Sequence, residues 1–214
     1  MIEKLACRLG RNDEEPNIEI AIMLCEKSDT AGILEIVEGL KGNNKAIAND
    51  CIKVLYEIGS RRPELIADYV SDFISLLLAK NNRLAWGSMT ALAAITALKP
   101  NEVYKYLHVI KKAYETGSVI TIDNSMTVFA ELCKADRNYE KEILPLLLKH
   151  LSTCRPKEVP QHAERMAVCL NVENRKEFIN ILEQRKPHLL TSQVKRIDKL
   201  IKKVECNNDG KPLT

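Results

Sequence analysis

Histidines and cysteines are the side chains of this sequence whose types could support chemistry. No two of the histidines are three or four residues apart, the spacing that places two imidazoles on one face of a helix for metal binding; they are His108, His150, His162 and His188. His162-Ala163-Glu164 has the HxE pattern of zinc deaminases but lacks the PCxxC that follows it there. We therefore expect each histidine to be a surface or groove residue.

The seven cysteines are widely spaced and form no CxxC or Cys/His zinc pattern. Four of them lie among apolar residues at helical spacing, which is typical of buried, reduced thiols; these are Cys25, Cys51, Cys133 and Cys169. The sequence thus predicts neither a metal site nor a cofactor.

Carboxylates at helical spacing and motifs of enzymes give no firmer sign of catalysis. Asp68 and Asp72 lie four positions apart beside an apolar stripe, which favours a solvated helix face over a cation site. The chain contains no GxGxxG, GxxxxGK[ST], HExxH or GxSxG motif. We assign no catalytic residue and favour a non-enzymatic protein, while a site assembled from residues far apart in sequence is compatible with the pattern.

The composition favours helices over strands. Apolar residues make up 45% of the 214 residues, aromatic residues only 5%, and there are 8 Gly and 8 Pro, too few for a loop-rich β protein. The first ten residues include charges at positions 3, 4 and 8 and show no apolar core of a signal peptide. With no apolar stretch near 18 residues, we expect a cytoplasmic protein without a membrane span.

A repeat of 37 residues organises these helices. The stretch SMTALA at 88–93 returns as SMTVFA at 125–130, and Ile58 aligns with Ile95, Leu132 and Cys169 at the same interval. Periods of 20 to 50 residues are typical of stacked repeat proteins, in which neighbouring units share one hydrophobic core.

Each repeat contains two apolar stripes of helical period separated by a corner with Gly, Pro, Asn or Asp. The predicted hairpins cover 17–41, 44–80, 81–117, 118–154 and 155–187. Residues 2–9 and 192–205 read as capping helices, with Pro145 expected to kink or shorten one second helix. We predict a single domain over 1–205 and a disordered C-terminal tail over 206–214.

The segment 43–78, NNKAIANDCIKVLYEIGSRRPELIADYVSDFISLLL, resembles a HEAT repeat, the armadillo-like helical repeat family. Its first helix ends in Val54-Leu55-Tyr56-Glu57-Ile58-Gly59, similar to the aliphatic end of that motif. Asp50 matches the usual aspartate of the family, whereas Gly87 and Asn124 occupy the equivalent positions of the next two repeats. The resemblance implies an all-α, right-handed superhelix of about five helical hairpins plus capping helices, with second helices lining the concave face. Most such proteins are scaffolds or adaptors, and a minority, including alkylpurine DNA glycosylases, bind nucleic acid.

The basic side chains suggest where a partner would bind. The net charge of +3 is uneven, because residues 174–203 hold nine basic and three acidic residues. On the polar sides of the predicted second helices we select Lys105, His108, Lys112 and Lys149 as partner-binding residues. The favoured function is a scaffold for a protein or peptide, for which an acidic partner is compatible. The alternative is a nucleic-acid-binding protein related to the glycosylases, for which Asp123 is the nearest candidate acid. The single tryptophan, Trp86, and the few aromatic residues weaken this alternative.

Overall fold

Polar side chains that cap helix N-termini mark where the hairpins begin and turn. The computed structural model describes residues 1–206. Asn44 accepts hydrogen bonds from the backbone N–H groups of Ala46 and Ile47, and Asn81 and Asp136 each accept one from the second residue after them. Since these bonds satisfy amides that a helix leaves unpaired, they fix the helix starts near the predicted corners.

Helices account for all the regular structure of residues 1–206, which contain no strand. The first residues form a 3₁₀ turn, Ile2–Lys4, in place of the predicted capping helix. The helices are α1 (Glu15–Lys27), α2 (Thr30–Gly39), α3 (Lys45–Arg61), α4 (Val70–Leu76), α5 (Asn82–Ile95), α6 (Pro100–Tyr104), α7 (Leu107–Thr116), α8 (Val119–Ala135), α9 (Arg137–Thr153), α10 (Val159–Met166), α11 (Arg175–Arg185) and α12 (Thr191–Cys206). Five hairpins and a terminal helix follow the predicted order. None of the helices in this part of the chain is long and apolar enough to cross a bilayer.

The chain divides into two compact units. In the unit Met1–Ser125, the first helices of successive hairpins lie side by side, because α3 packs against both α1 and α5. The second helices follow them, with α2 packed against α3 and α4 packed against α5. The second unit starts at Met126, within α8, and packs α9 against α10 and α11, and α12 against α10 and α11. The single domain over 1–205 stays a prediction, and the predicted tail lies outside the described residues except for Cys206, which ends α12.

The repeat register places equivalent residues in the core. Ile58, Ile95 and Leu132 are fully buried, and Cys169 is almost so. Ser88 and Ser125, the first residues of the repeated hexapeptides, are both fully buried on α5 and α8. The period therefore predicted which residues face inward.

Two second helices are broken rather than continuous. Two 3₁₀ turns, Pro63–Leu65 and Ala67–Tyr69, precede α4, and Tyr106 separates α6 from α7. Tyr106 has φ −108° and ψ 18°, outside the helical region. Since the apolar stripe continues across each break, the sequence predicted one uninterrupted second helix in each of these hairpins.

Gly59 does not end its helix as predicted, and Pro145 does not shorten its helix. Gly59 lies inside α3 instead of ending it, and its missing side chain makes room, since a Cβ there would lie 3.0 Å from Ile66 and 3.2 Å from Ala94. Pro145 neither ends nor shortens α9. It lies on an exposed face, where water can satisfy the carbonyl that loses its helical hydrogen bond.

Gly87 explains one departure from the repeat pattern. A Cβ at this position of α5 would lie 2.7 Å from Cγ1 of Ile52 on α3, so the two helices approach too closely for a larger residue. Asn124, the next equivalent, instead donates a 2.9 Å hydrogen bond to Thr90 on α5. Asp50 accepts a bond of 2.8 Å from the backbone of Cys7. The same repeat position thus serves three different contacts.

Candidate interaction surface

Three of the predicted binding residues lie on exposed positions of the first unit. Lys105 follows the end of α6, and His108 and Lys112 are one turn apart on α7. The opposite side of α7 is buried through Leu107, Ile110 and Ala113. Because residues four apart share a helix face, His108 and Lys112 point away from the core together.

The carboxylates of Asp68 and Asp72, in the preceding hairpin, form ion pairs with lysines and do not face each other around a metal site. Lys99 lies 2.7 Å from Asp68, and Lys41 lies 3.2 Å from Asp72. Among residues 1–206, neither Lys105 nor Lys112 forms such an ion pair. Their charges are therefore available to a bound molecule.

Lys149, the fourth predicted residue, lies in the second unit at a groove between two second helices. The groove holds about 480 Å³ and lies between α9 and α11. Its wall is mostly apolar, with Lys149 and Glu177 as the charged groups; the lining residues are Leu144, Pro145, Leu148, Lys149, Ser152, Glu177 and Ile181. Such a groove fits an apolar side chain flanked by a polar backbone.

The basic C-terminal segment borders a second groove, of about 560 Å³, between α12 and the end of α10. Lys199 and Lys203 line it, together with apolar atoms of Val168 and Leu200. Part of the predicted positive charge is used internally, since Arg196 pairs with Glu164, Lys186 lies 2.7 Å from Asp198, and Arg185 donates to backbone carbonyls. Several basic side chains of this segment thus already have partners within the second unit.

Trp86 is used for packing between repeats. Its ring centroid lies 5.5 Å from that of Tyr56, with the planes tilted by 46°. Tyr56 is on α3 and Trp86 on α5, so the contact joins the first helices of adjacent hairpins. Aromatic pairs at this separation add to the stability of a helix interface.

His150 and His162 correct the expectation that every histidine is a surface or groove residue. Both are buried, with exposed fractions of 8% and 0%, and Nε2 of His150 lies 2.8 Å from Nδ1 of His162. They are 12 residues apart in sequence, a spacing that carries no local signal, because only the turn between α9 and α10 brings them together.

The comparisons with solved structures concern this arrangement of hairpins. A designed armadillo repeat protein in complex with the peptide (KR)4 superposes with a TM-score of 0.68 at 14% identity, over 88% of this chain and 90% of that one. A protein solved in a study of cadherin and β-catenin gives a TM-score of 0.58 at 12% identity, over 97% of this chain and 46% of that one. The chain has an armadillo/HEAT-like helical-repeat fold. At such identities the likeness concerns the fold alone.

At the level of sequence, a relative matches part of the chain, but no family is shown. No protein-family model matches the chain. An uncharacterized protein of Methanocaldococcus jannaschii is 31% identical over 128 aligned positions, which cover 50% of this chain and 61% of that protein. The chain thus spans about three fifths of the length of this relative.

Proposed function

We propose that this protein is a non-enzymatic scaffold that binds a protein or peptide segment on its second helices. The groove between α9 and α11 carries this proposal, since it combines an apolar wall with a lysine at its edge. The exposed Lys105, His108 and Lys112 form a second contact region, on the first unit. A designed armadillo repeat protein of similar fold is in complex with a peptide, which supports peptide binding as a use of this fold.

The charges favour a partner segment with both acidic and apolar side chains. Lys105 and Lys112 would pair with carboxylates, which accelerates encounter and sets the preferred sequence more than it adds affinity. The apolar groove at Lys149 would take a leucine-sized side chain, whose burial contributes about 1.5–3 kcal/mol. An alternating Glu-Leu peptide is therefore a suitable probe.

Charge reversal on α6–α7 tests this surface. We expect Lys105→Glu with Lys112→Glu to weaken binding of a Glu-Leu peptide by about tenfold or more, because each change replaces attraction by repulsion. Fluorescence anisotropy of the labelled peptide measures the Kd at low and at physiological salt. The matched control is Lys45→Glu with Lys80→Glu, two exposed lysines near the starts of first helices.

Four results would contradict the proposal or redirect it. An affinity unchanged by Lys105→Glu/Lys112→Glu refutes the first-unit surface, and equal weakening by the control pair shows only a net-charge effect. Failure of Lys149→Glu and Leu148→Ala to alter binding refutes the groove. Retention on duplex DNA with a steep loss on adding salt would favour the nucleic-acid alternative.

A further inference from the structure

Three potential metal ligands meet where α9 turns into α10. The ligand atoms of His150, Cys154 and His162 all lie within 4.8 Å of one another. Both imidazoles are buried and the thiol is half-buried. This cluster lies within the second unit, and its function does not depend on the peptide-binding proposal.

The local fold brings these side chains together. His150 is in the last turn of α9 and Cys154 follows the helix end, four residues later, with its backbone N–H donating to the His150 carbonyl at 2.7 Å. Residues four apart lie on the same side of a helix. A 3₁₀ turn, Pro156–Glu158, then reverses the chain, so that α10 returns His162 to this side.

The contact between the imidazoles has the geometry of one shared proton. Nε2 of His150 and Nδ1 of His162 are 2.8 Å apart, with ring centroids at 4.9 Å. Two nitrogens bound to one tetrahedral Zn²⁺ would lie about 3.3 Å apart, given Zn–N bonds near 2.05 Å. An outward shift of about 0.5 Å would therefore convert the hydrogen-bonded pair into two ligands.

Neighbouring groups hold the cluster in position. Arg185 on α11 donates hydrogen bonds to the carbonyls of Ser152 and Cys154, which fixes the backbone beside the thiol. Glu158 in the turn before α10 is 12% exposed and pairs with Arg155, which fixes the turn between Cys154 and His162. Such outer contacts orient metal ligands in known sites.

We propose that His150, Cys154 and His162 bind Zn²⁺, with the fourth tetrahedral position left for water. Two imidazoles and one thiolate are a donor set for a borderline-soft ion, whereas Mg²⁺ and Ca²⁺ prefer oxygen. On binding, the cation takes a lone pair from each facing nitrogen, and the proton between them moves to the other nitrogen of the ring that carried it. The sulfur binds as thiolate and gives its proton to the buffer, so one proton is released per ion.

Cobalt substitution tests the site, because Co²⁺ reports its ligands by absorption while Zn²⁺ does not. The reduced full-length chain should bind one Co²⁺ with tetrahedral ligand-field bands and a near-ultraviolet thiolate charge-transfer band, and Zn²⁺ should displace it. Cys154→Ser should remove the charge-transfer band, and His162→Gln should lower the affinity by about 100-fold or more, beyond the loss seen for outer contacts. The matched control is Cys206→Ser, at an exposed cysteine outside the cluster.

Circular dichroism of each variant separates ligand loss from unfolding. If His162→Gln does not fold, Cys154→Ser alone tests metal binding by the cluster, since it replaces a half-buried thiol by a hydroxyl of similar shape. Wild type should also gain thermal stability with Zn²⁺, and Cys154→Ser should gain less. Absence of cobalt bands in wild type, or the same thiolate band in Cys154→Ser, would overturn the proposal, as would its loss in Cys206→Ser.

Discussion

Two equivalent serines show how the repeat can place the same residue in different hydrogen-bonding situations. The hydroxyl of Ser125 donates to the Thr121 carbonyl one turn earlier at 2.8 Å. The hydroxyl of Ser88 is buried and makes no hydrogen bond within the described part of the chain. A buried hydroxyl without a partner keeps its desolvation cost, whereas a bonded one recovers it.

Alanine substitution should therefore change the free energy of unfolding differently at Ser88 and at Ser125. We expect Ser125→Ala to lower the free energy of unfolding by about 0.5–1.5 kcal/mol, and Ser88→Ala to leave it unchanged or raise it. Both changes gain the same small helix propensity, so each serine serves as the control for the other. Urea denaturation followed by circular dichroism measures the difference; equal losses at both sites would contradict this prediction.

A buried ion-pair cluster joins three first helices of the first unit. Lys53 on α3 has a side chain 8% exposed and lies 2.8 Å from Glu57 and 3.0 Å from Glu14, the residue that immediately precedes α1. Glu14 also pairs with Arg83 on α5. The cluster thus links consecutive hairpins by charge as well as by apolar packing, and both carboxylates are needed to balance the buried ammonium.

The carboxyl groups of this cluster titrate below their usual range. Burial raises the pKa of Glu57, but the hydrogen bond and charge of Lys53, together with those of Arg61, outweigh it and leave the pKa lowered. The pKa of Glu14 is lowered in the same way, with Lys53 and Arg83 opposing the effect of burial. A carboxyl whose pKa is lower in the folded state contributes stability above its unfolded pKa, near 4.3 for Glu, and loses it as pH falls through the folded value.

We therefore expect the free energy of unfolding to fall as the pH drops below about 4, with part of the loss from these two residues. Lys53→Met should cost about 2 kcal/mol at neutral pH, less than for a fully buried pair because Glu14 is 41% exposed. The variant should also lose less stability on acidification than wild type. Urea titrations at several pH values provide the comparison; parallel pH profiles for both proteins would exclude the cluster as the cause.

At the scale of the whole molecule, helix α8 runs without a break through the boundary between the two compact units. In stacked repeats each unit packs mainly on its sequence neighbours, so stability spreads from repeat to repeat. The prediction of a single domain over 1–205 therefore requires that residues of both units unfold together.

Trp86 offers a probe confined to one unit. It is the only tryptophan of the chain and lies in the first unit, whereas circular dichroism reports helices of both. We expect the urea transitions from Trp86 fluorescence and from circular dichroism to coincide, as two-state unfolding requires. Leu55→Ala, in the first-unit core, should shift both to lower urea by the same amount; a fluorescence transition that moves alone would show two separate domains.

The helical period, the corner residues and the burial of the equivalent core positions followed from the sequence, since all are local or repeat every 37 residues. The prediction of five hairpins and a terminal helix is confirmed for this reason. Breaks within second helices, such as that at Tyr106, were not predicted, because an apolar stripe continues across a change in backbone geometry.

The sequence by itself determined the all-α repeat architecture, because apolar side chains at i, i+4 and i+7 become buried only when each hairpin stacks on the next one. Only the tertiary structure decided which polar side chains meet. The close approach of His150 to His162, the ion pairs of Lys53 with Glu14, and the groove at Lys149 all depend on helix spacing and on turns. Such contacts join residues with no fixed sequence interval, and their energies depend on burial that the packed helices alone create.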